Sequence, residues 1–302
     1  MSTSANALSD SPAMAPANVV PLRRFSWSVR RELWENRYLY VAPLAVAALV
    51  VVGFALGLIH LPDKLRAAST LDAMRQHERI EQPYTFAALL LMFTTFLIGV
   101  FYCLDALYGE RRDRSILFWK SLPVSDLTIV LSKASIPFVV IPLGTWVITV
   151  VTQAIMLLLA GGRLMGTGLS VWSLVPFGQM ASMLFYHLVV VHGLWYAPIW
   201  AWLLLCSAWS RRTPYLWATL PLLAVGLVEK IAFNTSHFGG WLASRFMGGP
   251  GGMPHHNTSM TMAALTPPPA QFLASPGFWL GLALAAAFLA AAVRLRRYQA
   301  PI

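Results

Sequence analysis

The chain has 302 residues, of which 57% are hydrophobic and only 11% charged, with a formal net charge of +10. A soluble domain carries roughly 25% charged residues, and one buried core cannot absorb that deficit because surface must still be covered. A soluble globular fold is therefore excluded, and a bilayer is the expected solvent. So basic a soluble protein would suggest nucleic acid. Here the cations sit at the ends of apolar runs, where they report topology and contact with anionic lipid, so no nucleic acid is expected as a partner. Cys103 and Cys206 lie inside apolar runs, fit no metal spacing or disulfide framework, and read as small hydrophobes.

Residues 1–20 are rich in Ser, Ala, Asn and Pro and lack the apolar core of a secretory signal, which predicts a disordered tail. Residues 21–37, PLRRFSWSVRRELWENR, place Phe25, Val29, Leu33 and Trp34 at helical spacing among arginines. This is the pattern of an amphipathic helix lying in the interface, either a simple positive anchor or an elbow that couples to the first span. About 20 apolar residues cross a ~30 Å hydrocarbon core. Residues 38–298 are read as one six-span domain, with spans at 38–59, 84–107, 134–159, 183–209, 214–230 and 276–293. The fourth apolar run, 176–208, exceeds what one span needs, so the helix is placed in its later part with a kink at Pro198. Its Trp195, Tyr196, Trp200, Trp202 and Trp209 are aromatics of the kind that favour the headgroup level, and some of the tryptophans are expected to lie deeper, packing against other helices or lining a cavity. Thr213 is expected to cap the fifth span, with Pro214 in the first helical position.

Six spans put both termini on one side. Fifteen of the 22 Lys and Arg residues fall in the segments on that side, including Arg23, Arg30, Arg111, Lys133, Arg212 and Arg296. By the positive-inside rule the termini and the 109–133 connector are cytoplasmic. That connector, GERRDRSILFWKSLPVSDLTIVLSK, interrupts a very apolar chain with five basic and three acidic residues. Glu110 to Arg114 carries both signs, Ile116 to Trp119 is apolar, Pro123 breaks the helix and Ser125 can cap the next. A short amphipathic helix tipped by Phe118 and Trp119 fits a protein-docking anchor. The same two rings dipping into headgroups fit it equally well on composition alone.

The stretch YGERRDRSILFWKSLPVSDLTIVLSK resembles the cytoplasmic connector of ABC-2-type transporter permeases. The resemblance spans residues 21–298 through topology: an interfacial elbow helix, six spans, and a long external segment with a re-entrant helix before the last span. It implies an all-α integral membrane fold in a bacterial inner membrane, exporting a substrate with two copies of an ABC ATPase subunit and a second permease, identical or sister. It also implies a coupling helix over residues 110–125, with Glu110, Arg111, Arg112, Asp113, Arg114, Phe118, Trp119, Leu122, Pro123 and Ser125 in the coupling role. The chain has no G-x-x-x-x-G-K-[ST] loop, so no cofactor is expected in it, and ATP with Mg²⁺ would sit on the partner ATPase. Aromatic, weakly charged spans suggest an amphipathic or lipid-like cargo such as a peptide antibiotic.

Other functions leave fewer traces. A secondary transporter would show internal repeats and intramembrane charges, and neither is evident. His187, His192 and Glu229 are the candidates to face a pathway, set against the plainer readings of packing histidines and an interfacial anchor. An intramembrane enzyme would need H-E-x-x-H or G-x-S-x-G, and both are absent. His237, His255 and His256 beside methionines form only a compositional hint of metal. A membrane sensor or immunity protein on the same fold is the remaining alternative, because fold does not fix function.

Overall fold

Backbone amides cannot be left unpaired in lipid, so a chain of long apolar runs must satisfy them within helices. The computed structural model describes residues 21–68, 72–121, 124–165, 175–246 and 273–298. About 91% of it is helical, with no strand among the described residues, and six helices are long and apolar enough to cross a membrane. The protein is a multi-pass membrane protein. The expected tail 1–20, residues Leu122 and Pro123, and the loop carrying His255 and His256 lie outside the described residues.

Helix α1 (Pro21–Glu35) precedes α2 (Tyr38–Gly57), the first apolar crossing. A 3₁₀ turn (Leu58–His60) and α3 (Leu61–Ala68) lead to α4 (Ala73–Ala106). At 34 residues α4 is roughly 50 Å long, more than a ~30 Å core requires. Its charged first turns therefore project beyond the apolar layer. Three short helices follow: α5 (Tyr108–Arg112), α6 (Ser115–Ser121) and α7 (Asp126–Ser135). Arg114, at φ 58°, takes the left-handed turn between α5 and α6. Ser125 caps α7, its hydroxyl accepting the Thr128 N–H at 3.2 Å.

Helix α7 continues through a π-helical segment (Ile136–Val140) into α8 (Ile141–Leu164). Pro137 and Pro142 lack the N–H that would close normal turns there, and widened turns are a known response. The fourth run departs from the sequence expectation. It begins as α9 (Phe177–Tyr186), widens into a second π segment (His187–Trp195), breaks at Tyr196 and resumes as α10 (Ala197–Trp209). The break precedes Pro198 because the Tyr196 N–H bonds back to the Val191 carbonyl instead of continuing the α ladder. The Trp200 indole N–H then donates to the His192 carbonyl at 3.0 Å. The two π segments pack closely: a Cβ on Gly193 would stand 3.0 Å from the Phe138 carbonyl, the one that Pro142 cannot bond. Glycine is what lets the backbones approach.

Helices α11 (Pro214–Phe233), α12 (His237–Phe246) and α13 (Pro276–Tyr298) follow among the described residues. Pro214 opens α11, but the Thr213 side chain makes no capping bond. With Thr213 at φ −134° and ψ 80°, the cap position is filled by backbone geometry alone. Helix α10 is the centre of the bundle and packs on α13, α4 and α11. Ala197, Ala201 and Ala285 bring α10 against α13, the small-residue contact that membrane helices favour. Tyr102, Trp195, Trp200 and Phe278 fill the core beside them. Its tryptophans pair their indole N–H groups with backbone carbonyls, Trp195 with Ser244 at 3.3 Å and Trp202 with Ala218 at 3.0 Å, which makes burying them tolerable. By contrast α2 and α11 turn mostly outward, with Leu44, Leu49, Leu220 and Leu223 exposed.

Candidate functional site

The connector begins where α4 ends. The Ser207 hydroxyl on α10 accepts the N–H groups of Leu107 at 3.0 Å and Tyr108 at 2.9 Å, satisfying two amides at the start of α5. Arg111 then turns inward. It is buried and donates to the carbonyls of Ser207, at 2.9 Å, and Ser210, where α10 finishes. A cation at a helix C-terminus meets unpaired carbonyls and the negative end of the helix dipole. Arg111 is thus a cap for α10 and is not available to a docking partner.

Glu110 is also buried and lies at the heart of a charged lattice. Arg296 near the end of α13 donates to Glu110 Oε2, Lys133 Nζ stands 3.2 Å from Oε1, and an Arg31 nitrogen approaches Oε1 at 3.6 Å. Lys133 bonds Glu32 of α1 at 2.9 Å, and the Tyr102 hydroxyl donates to the other Glu32 oxygen at 3.0 Å. Arg296 also reaches Asp126 of α7 at 3.2 Å. Glu32, Glu110 and Asp126 face Arg31, Lys133 and Arg296, and Arg31 also pairs with the exposed Glu35 at 3.1 Å. Together they tie α1, α5, α7 and α13 to one another. Buried charges at this depth persist only when paired and hydrogen-bonded, and removing one partner typically costs about 3–5 kcal/mol.

Above this lattice sits α6. Ile116 is buried, while Leu117 and Phe118 are exposed, Phe118 at 60%. The Phe118 and Trp119 rings meet edge to face at 5.1 Å, and the Arg31 guanidinium lies 3.5 Å from the Trp119 ring centroid. Trp119 is therefore a strut between the tip and the lattice, and Leu117 and Phe118 form the outward apolar surface. Arg112 pairs with Asp113 at 3.0 Å and Asp105 at 3.7 Å, in the open. Arg114 is exposed as well.

The sequence places Glu110, Arg111, Arg112, Asp113, Arg114, Phe118, Trp119, Leu122, Pro123 and Ser125 in one role; Leu122 and Pro123 lie outside the described residues, and Ser125 caps α7. The structure divides them: Glu110 and Arg111 hold the connector from within, while Phe118 and the Arg112–Arg114 turn face outward. Sequence reasoning missed Glu32, Tyr102, Asp126, Lys133 and Arg296 as site residues. Three of their pairings, Tyr102–Glu32, Lys133–Glu32 and Arg296–Glu110, join residues 70, 101 and 186 positions apart, which no local pattern encodes. The available signal was compositional: Glu32 interrupts a basic helix, and Lys133 is a lone charge between the largely apolar runs 127–131 and 136–143.

The remaining candidates lie elsewhere. His187 and His192 are buried in the second π segment with ring centroids 5.6 Å apart, and His192 lies 4.9 Å from the Tyr196 ring. Among the described residues no group of three or more His, Cys, Asp or Glu side chains is arranged to hold a metal ion. Glu229 caps α12 across the intervening turn. Its carboxylate accepts the N–H groups of His237 at 2.6 Å and Phe238 at 2.9 Å, and the Thr235 hydroxyl at 2.9 Å. At the far end of α12, Arg245 is buried with its guanidinium 4.0 Å from the Trp195 ring centroid, donating to the Trp195 carbonyl at 3.2 Å and to that of Gly277.

The chain matches no protein-family model, no curated protein and no solved structure.

Proposed function

We propose that this chain is the permease subunit of an ATP-driven exporter of the ABC-2 type. The observation that carries the reading is the two-sided connector: an outward apolar tip, Leu117 and Phe118, mounted on a buried charge lattice that reaches α1, α7 and α13. A part that receives a push must present a grip to its partner and be fixed firmly to what it moves. The Trp119–Arg31 contact joins those two halves. In this reading α1 is the elbow helix, α12 the re-entrant element before the last span, and the connector faces the cytoplasm of a bacterial inner membrane. Two copies of a separate ATPase subunit bind ATP with Mg²⁺, and a second permease completes the passage. The cargo is amphipathic or lipid-like.

The test is co-purification with a Walker-loop ATPase encoded beside this chain and expressed with it. Phe118→Glu places a charge on the exposed ring's position and touches nothing in the lattice. The expected outcome is loss of ATPase from the purified complex with normal membrane insertion. Undiminished ATPase on the Phe118→Glu protein would overturn the assignment.

A further inference from the structure

A cavity of about 510 Å³ opens at the end of the bundle opposite the connector, roughly 40 Å along α4 from its last residue. Among the described residues its apolar wall includes Phe54 of α2, Leu65 of α3, and Ile80 and Tyr84 of α4. Leu65, Ile80 and Tyr84 are buried, and the Phe54 and Tyr84 rings meet at 5.9 Å to form the floor. Gln153 of α8 donates to the Tyr84 carbonyl at 3.1 Å and fixes that floor against the span behind it. The polar groups are Arg79 and Gln82, both exposed on α4 within one turn of Pro83. Pro83 has no N–H for the Arg79 carbonyl, which leaves that acceptor without its usual helical donor.

The depth of these groups is set by the sequence. Up to Glu81, α4 is rich in charge; from Pro83 onward it is apolar. Arg79 and Gln82 thus stand at headgroup level, while Phe54 and Tyr84 stand where hydrocarbon begins. Asp63 pairs with Arg66 at 3.8 Å, and Arg79 has no ion pair among the described residues. The volume is that of a small-molecule site. An apolar chamber with a cation, an amide and a carbonyl at its rim suits a molecule that offers an apolar chain and an anionic, hydroxyl-bearing head.

We propose that this cavity binds an anionic amphiphile, its chain against Phe54, Leu65 and Tyr84 and its headgroup on Arg79. The site is independent of the coupling role argued above: its occupancy needs no ATPase, and neither claim falls with the other. Two sources share this chemistry, a phospholipid of the surrounding bilayer and a free single-chain molecule.

The experiment uses the full chain in nanodiscs, with photoactivatable phosphatidylglycerol compared against phosphatidylcholine of the same chains. Phosphatidylglycerol should label peptides spanning 54–84 about fivefold more, the ratio equal to the ~1 kcal/mol of one arginine at an anionic surface. Arg79→Ala should bring the two lipids to parity. Ala67→Trp, at an exposed position on the cavity wall, should suppress labelling by both while the protein still elutes as a single folded species. Added dodecyl phosphate separates the sources: displacement of the label assigns the site to a free amphiphile, and no displacement assigns it to bilayer lipid. Equal labelling by the two lipids in the unmodified protein, or labelling indifferent to both substitutions, would overturn the proposal.

Discussion

Glu110 and Arg112 are two residues apart on one short helix and have opposite circumstances. Glu110 is buried against Arg296 and Lys133, whereas Arg112 pairs with Asp113 and Asp105 in the open. Replacing Glu110 by Gln keeps the shape and leaves two buried cations short of an anion. The expected cost is about 3 kcal/mol, the usual consequence of breaking a buried pair. Thermal unfolding of the purified protein should show a clear fall in midpoint for Glu110→Gln. Arg112→Gln should leave it within experimental scatter, because exposed pairs are screened and contribute little. Equal midpoints for the two variants would mean that the lattice does not hold the connector. Arg245 shows how an arginine is buried differently, on an indole face and two carbonyls. The space comes from Gly281, where a Cβ would lie 2.7 Å from a guanidinium nitrogen.

Among the elements, α12 is the one whose placement depends on its ends. Asn234, at φ 51°, stops α11, and the turn brings the α12 amides onto the Glu229 carboxylate. Glu229→Ala should free those amides, and hydrogen exchange at His237 and Phe238 should quicken severalfold while exchange in α10 is unchanged. Unaltered exchange at those two amides would show that the carboxylate is not what holds the helix start. The same element illustrates what a sequence can reveal. The six crossings were legible because a run of about 20 apolar residues has few other uses. Ser125 was legible as a cap because its partner, Thr128, is local. Glu229 read as an interfacial anchor because the amides it serves belong to the next helix. Likewise Pro198 announced an irregularity in the fourth run, but the break at Tyr196 follows from the π segment before it and the Trp200 indole after it. Of the connector, the apolar tip could be seen in the order of residues. The division between its inward and outward charges could not, because the partners arrive from α1 and α13.

At the scale of the molecule, the charges and the packing point to two bodies of unequal stiffness. The lattice joins α1, α5, α7 and α13 at the connector end, with side chains on Glu32, Glu110, Lys133 and Arg296 all at least nine-tenths buried. Buried pairs of this kind are directional and little weakened by salt. Helix α11 has no charge in that lattice, and the apolar side chains along it are mostly exposed. A push delivered at Phe118 should therefore carry α5 and α13 together, and the relative motion should appear against α11. Spin labels at Arg112→Cys and Arg297→Cys, both exposed, report the first distance; labels at Arg112→Cys and Val225→Cys report the second. With the ATPase bound, the first distance should be the same without nucleotide and with trapped ATP, while the second distribution should shift. Glu110→Gln should broaden the first distance, since the bolt between α5 and α13 is then missing its shared anion. A first distance that changes more than the second between nucleotide states would place the moving joint inside the lattice and refute the picture of α5 and α13 as one body.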